Sequence, residues 1–278
     1  MKKFAKKILT LGLLAVGLSG TTFAGSIIIT GHDTDDHGAE MFMNWALTAL
    51  ETGNGSVVPA APTARIGYLG NASPNLGHYL GNYDNFEFYN LADPSWTDAF
   101  TDNNSVLVIG TGFDFVSAAG SAALNSQQAA FINYFNADGN IFVNTEQGIG
   151  QSFYGFIPSF GGTLSNSLPG CSTESGTGNC MNVTAAGTAR GHTLDQIVEA
   201  NITHTRFTNV DSVFQVLSIY NNSGGAGTGS AITIGLFDGT AGGGGFEPGD
   251  DVPEPASMAL FGSGLAGLIW YARRRKSN

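Results

Sequence analysis

Short β-branched runs alternate with amphipathic stretches from residue 26 onward, and this alternation restricts the fold more than any other feature of the chain. Ser26 to Thr30 reads Ser-Ile-Ile-Ile-Thr and stops at Gly31, after which Ala39 to Glu51 places Phe42, Trp45, Ala46, Ala49 and Leu50 on one helical face. Arg65 to Leu69, Phe86 to Tyr89, Ser105 to Ile109, Asn140 to Asn144 and Ala231 to Phe237 supply further strands, and Pro94 to Phe100 a short helix. Asn125 is placed to cap a helix over Ser126 to Ala137, which Asp138-Gly139 ends. Strands that alternate with helices pair in parallel, because each parallel connection needs a crossover long enough to hold a helix. The expected fold is therefore α/β, a doubly wound and mostly parallel sheet in one globular body over residues 25–238.

Both ends lie outside that body. Met1 to Ala24 open with Lys2, Lys3, Lys6 and Lys7, continue through the apolar Ile8 to Leu18, and close on Thr22-Phe23-Ala24 before Gly25. A basic start, a short apolar centre and a small-residue cleavage site make residues 1–24 a signal peptide, to be handled by the Sec export machinery. Four of the eleven basic residues lie in this leader, and four more are Arg273, Arg274, Arg275 and Lys276. The body keeps Arg65, Arg190 and Arg206 against 21 carboxylates between Gly25 and Val252, a formal charge of −18 with no lysine. Such a surface repels phosphate backbones, which excludes nucleic acid as a partner and suits divalent cations or a hydrated matrix. Cys171 and Cys180 are the only cysteines, and in an oxidising compartment they read as a disulfide closing a small loop.

At the other end, a Gly-rich linker over 239–252 leads into Val252-Pro253-Glu254-Pro255, then 17 uncharged residues from Ala256 to Ala272, then Arg273-Arg274-Arg275-Lys276. A helix of that length covers about 25 Å, the lower limit for crossing a bilayer, with its basic cluster on the cytoplasmic side. Residues 253–278 resemble the sorting segment of PEP-CTERM proteins, in which Val-Pro-Glu-Pro, a short membrane helix over 256–272 and an arginine cluster occur in this order. The resemblance implies an exosortase as partner, transient anchoring in the inner membrane, and a cell-surface or extracellular destination in a host that makes exopolysaccharide or biofilm.

A second resemblance concerns the body. Val106-Leu107-Val108-Ile109-Gly110, Leu124 through Gln128, Tyr134 and Gly139-Asn140-Ile141-Phe142-Val143 look like the core of class I glutamine-amidotransferase-like and ThuA-like domains, with Gly191-His192-Thr193-Leu194 and Val213 to Leu217 in place of later segments. This implies flavodoxin-like or amidotransferase-like strand order. The chemistry does not carry over, because the strand ending at Asn144 continues Thr145-Glu146-Gln147-Gly148 and lacks the cysteine nucleophile of the family.

The most unusual stretch is Gly31-His32-Asp33-Thr34-Asp35-Asp36-His37-Gly38, two imidazoles and three carboxylates at the carboxyl end of the first strand. Open α/β sheets bind ligands at that edge, and Asn71, Asp114 and Glu146 are placed to join the same rim. His32, Asp33, Asp35 and His37 are candidate ligands for a divalent ion such as Zn²⁺ or Mn²⁺, with Glu146 a candidate catalytic base. An EF-hand is excluded, since its twelfth position falls on Asn44. The competing reading has Asp35 or Asp36 capping the next helix while the other residues form a solvated surface loop. His78, His192 and His204 read as structural. Two functions follow: an exported surface or extracellular-matrix protein whose body binds a ligand without catalysis, with exopolysaccharide as a candidate partner, or a metal-dependent hydrolase or sugar-modifying enzyme using the 32–37 loop.

Overall fold

The computed structural model describes residues 25–36, 38–53, 55, 65–71, 86–112, 114–145, 151–157, 163–165, 181–200, 205–212, 214–220 and 229–237. The leader 1–24, the linker 239–252, the sorting segment 253–278, His37, His78, Glu146, Cys171, Cys180 and His204 lie outside the described residues. Among the described residues no helix is long and apolar enough to cross a membrane.

The first half of the chain builds a parallel sheet. Its strands are β1 (Ile27–Thr30), β2 (Ile66–Gly70), β3 (Phe86–Asn90), β4 (Val106–Ile109) and β5 (Asn140–Asn144). They stand in the order β3-β2-β4-β5-β1, every neighbouring pair parallel. Unbroken burial fits β1, three isoleucines and a threonine, and β4, four apolar residues, because helices cover both faces of a parallel sheet and alternation disappears. The helices are α1 (Glu40–Thr52), α2 (Ala118–Ser126) and α3 (Gln128–Asn136), with 3-10 turns at Pro94–Phe100 and Gln151–Tyr154.

The second half is antiparallel. It comprises β6 (Thr163–Ser165), β7 (Met181–Val183), helices α4 (Ala185–Ala189) and α5 (Leu194–Ala200), then β8 (Arg206–Thr208), β9 (Gln215–Tyr220) and β10 (Ala231–Leu236). β10 pairs antiparallel with β1, β8 and β9, while β6 pairs with β8 and β7 with β9. The sheet is thus mixed rather than mostly parallel. The reason is connection length: only residues 221–230, rich in Gly, Ser and Asn, separate β9 from β10, too few for a crossover helix, so the strands must reverse.

Two helix assignments also change. The helix expected over 126–137 is present as α3, starting at Gln128, but a further helix, α2, runs up to Ser126 ahead of it, so Asn125 lies inside α2 and is no cap. Ser117 caps α2 by accepting the Gly120 N–H, while Asn125 near the end of α2 donates through Nδ2 to the Ser152 carbonyl at 2.9 Å. α1 begins after Ala39 without a side-chain cap, so neither Asp35 nor Asp36 serves that role.

The core lies under α1. Phe42, Met43, Trp45, Ala46, Leu47, Ala49 and Leu50 are buried with Ile28, Tyr68, Val106, Val108 and Phe142 from the sheet. α1 buries more than one stripe because α5 packs on it from a second side, contributing Ala200 to the same cluster. Arg190 closes the end of this layer: Nη1 donates to the Gly53 carbonyl at 2.6 Å, and the guanidinium stands 4.2 Å from the Phe237 ring centroid.

Candidate functional site

The carboxyl ends of the parallel strands gather the polar residues singled out in the sequence. Gly31 leaves β1 with its N–H donated to the Ile232 carbonyl at 2.8 Å, and its own carbonyl accepts the Thr205 N–H at 3.2 Å. A Cβ at position 31 would collide with the Thr205 carbonyl oxygen, so only glycine fits between these strands. The chain then runs inward rather than out to solvent. His32, Asp33, Thr34 and Asp35 are all buried, and Asp36 is exposed. The expectation of a solvated surface loop is corrected here, because the segment passes between α1 and the ends of β4 and β5: the His32 ring packs edge-on against Phe42 at 5.1 Å, and Thr34 Oγ1 donates to Asn144 Oδ1 at 2.7 Å.

Asp35 is held by three donors. Tyr68 Oη donates to its Oδ2 at 2.6 Å, the Thr111 N–H donates to the same oxygen at 2.9 Å, and the Thr111 hydroxyl donates to Oδ1. Tyr68 lies on β2 and Thr111 follows β4, so one carboxylate ties three strand ends together. Burial pushes its pKa up to about 6, outweighing the hydrogen bonds from Thr111 and Tyr68 that favour the ionised form.

The rest of the rim is wired in the same manner. Asn144 Nδ2 donates to the Ile109 carbonyl at 3.2 Å, Thr145 Oγ1 to the Thr30 carbonyl at 2.7 Å, and the Thr30 and Thr233 hydroxyls meet at 3.1 Å. Asn71, after β2, accepts both the N–H and the hydroxyl of Ser117 at 2.8 Å through Oδ1. It therefore fills the start of α2, where an anion would otherwise find unpaired N–H groups. An added Cβ at Gly120 would strike that same Oδ1, so the carboxamide and the first turn of the helix are fitted to each other.

The structure thus brings Asp35 and Asn71 to the expected rim and commits both to bonds within the chain. Among the described residues no three His, Cys, Asp or Glu side chains stand close enough to hold one metal ion. Sequence reasoning missed Tyr68, Thr111 and Thr34, whose polar tips matter only once the strand ends are side by side. It also missed the stack of His192 on Trp45, with ring centroids 3.9 Å apart and 17° between planes. His192 Nδ1 meets Gln196 Oε1 at 2.8 Å, and burial pushes the imidazole pKa down to about 4. This agrees with a structural histidine just ahead of a helix.

Residues 251–276 match the PEP-CTERM protein-sorting motif. The match takes in Val252, Pro253, Glu254 and Pro255, the uncharged stretch 256–272, and Arg273, Arg274 and Arg275. The chain therefore carries the signal by which exosortases recognise proteins bound for the cell surface. No curated protein and no solved structure matches it, and the likeness of the body to amidotransferase-like and ThuA-like domains finds no support there.

Proposed function

We propose that this protein is exported through the Sec machinery, held briefly in the inner membrane by the 256–272 segment, and released at the cell surface by an exosortase, where its acidic body binds a ligand without catalysing a reaction. The sorting motif over 251–276 carries the reading. The body adds support in two ways. A body with three basic and 21 acidic residues stays soluble in a hydrated extracellular polymer such as exopolysaccharide. The rim where α/β enzymes keep their reactive groups instead spends Asp35, Asn71 and Asn144 on internal hydrogen bonds that hold the strand ends in register.

Replacing Pro253-Glu254-Pro255 with three alanines tests the delivery. The leader acts independently of the tail, so the variant crosses the membrane and accumulates there unprocessed. Release at the wild-type level would remove the exosortase from the account.

A further inference from the structure

A second concavity lies at the opposite edge of the sheet, where the amino ends of β4 and β5 meet the last turn of α3. It is a cleft of about 460 Å³, with Phe100 and Tyr134 on its wall and Thr101, Asn103, Asn133 and Asp138 exposed around its mouth. The two rings stand 6.2 Å apart at 64°. Tyr134 is fixed at both ends of its ring: Oη donates to the Asn104 carbonyl at 2.9 Å, and the ring face covers Gly139, where an added Cβ would strike it. Phe100 stands edge-on to the buried Phe131 with centroids 4.9 Å apart, so both rings are held by contacts within the chain while each keeps part of its surface in solvent.

The mouth is selective in charge. α3 ends at this cleft, so its carbonyl end lends partial negative charge, and the Asp138 carboxylate adds a full one. Anions are repelled. The remaining groups at the mouth are an alcohol and two carboxamides, each both donor and acceptor. An aromatic wall, neutral groups that donate and accept, and a carboxylate acceptor together suit a molecule with apolar C–H groups and several hydroxyls. We propose that this cleft is a binding subsite for a neutral sugar residue, whose hydroxyls bond to Asn103, Asn133 and Asp138 while its C–H groups pack into the angle between the Phe100 and Tyr134 rings. The proposal rests on the ligand-binding reading of the body and names its ligand class and its place.

The backbone makes a clean test possible. Asn103 and Asp138 both sit in the left-handed region, at φ 56° and 66°, which glycine adopts without strain. Asn133 is on an exposed helix position, where alanine is the better helix former. The triple variant Asn103→Gly, Asn133→Ala, Asp138→Gly strips the mouth without disturbing the fold, and Asn133→Trp obstructs it by filling. Saturation-transfer NMR of the exported protein with D-glucose, D-galactose and D-mannose, and with D-glucuronate as the anionic control, reads the binding. At least one neutral hexose gives transfer in the wild type, glucuronate gives none, and both variants lose the signal while keeping the wild-type circular dichroism spectrum. Signal that survives both variants would overturn the cleft and leave a ligand-binding body standing. Equal transfer to glucuronate, or no transfer to any hexose, would overturn the neutral-sugar ligand, while surface delivery is read separately by the Pro253-Glu254-Pro255 variant.

Discussion

The Tyr68 hydroxyl donates to the Asp35 carboxylate at 2.6 Å, linking the loop after β1 to a strand that stands three places away in the sheet, beyond β5 and β4. With the Thr111 N–H and hydroxyl on the same carboxylate, this contact gives the buried loop its conformation. It also leaves an ionisable group in the interior, with measurable consequences.

The Asp35 pKa is raised in the fold to about 6 from an ordinary 3.8, so the native state favours the protonated acid. The stability this contributes is complete below pH 3.8 and is lost as pH rises through 6, amounting to about 3 kcal/mol by neutral pH. Asp35→Asn never ionises. Its Oδ1 still accepts from Tyr68 and Thr111, and its Nδ2 donates to the Thr111 hydroxyl. Urea unfolding at pH 4 and pH 7 should show the variant more stable than the wild type at pH 7, with the advantage shrinking toward pH 4. Parallel pH profiles for the two proteins would show that Asp35 is not desolvated as described.

His192 gives the opposite slope. Its folded pKa of about 4 lies below the ordinary 6.5, so the neutral ring is the native one. The stability it contributes is complete above pH 6.5 and is lost as pH falls toward 4, again about 3 kcal/mol. NMR titration of the histidine ring protons should show the His192 imidazole still neutral at pH 5. A midpoint near 6.5 would place this ring in solvent and contradict its stacking on Trp45.

How far the sequence discloses the molecule depends on which forces set each part. β1 to β5 and α1 are legible because β-branched runs such as Ile27-Ile28-Ile29 and the apolar face of Phe42 and Trp45 are local patterns. In the antiparallel half β10 is legible as an apolar run, but β6, β7 and β8 are not, since three residues each are too few for a periodic pattern and β6 and β7 pair with strands distant in sequence, β8 and β9. The Asp35 loop reads as polar and therefore exposed. Only the assembled sheet supplies the Tyr68 and Thr111 donors that make its burial tolerable. The second cleft has a faint local sign, since Asp102-Asn103-Asn104 before β4 and Ala137-Asp138-Gly139 before β5 are both turn-forming triplets with a left-handed Asn or Asp at the centre. Sequence alone gives no hint that these triplets sit side by side.

Surface delivery through the sorting segment is the central claim, and the termini of the mature surface protein test it most directly. Intact-mass and peptide mass spectrometry of protein recovered from the cell surface should find a chain that begins at Gly25, after removal of the leader, and that lacks Arg273, Arg274 and Arg275, after cleavage near Pro253-Glu254-Pro255. Recovery of surface protein that still ends at Asn278 would contradict exosortase processing.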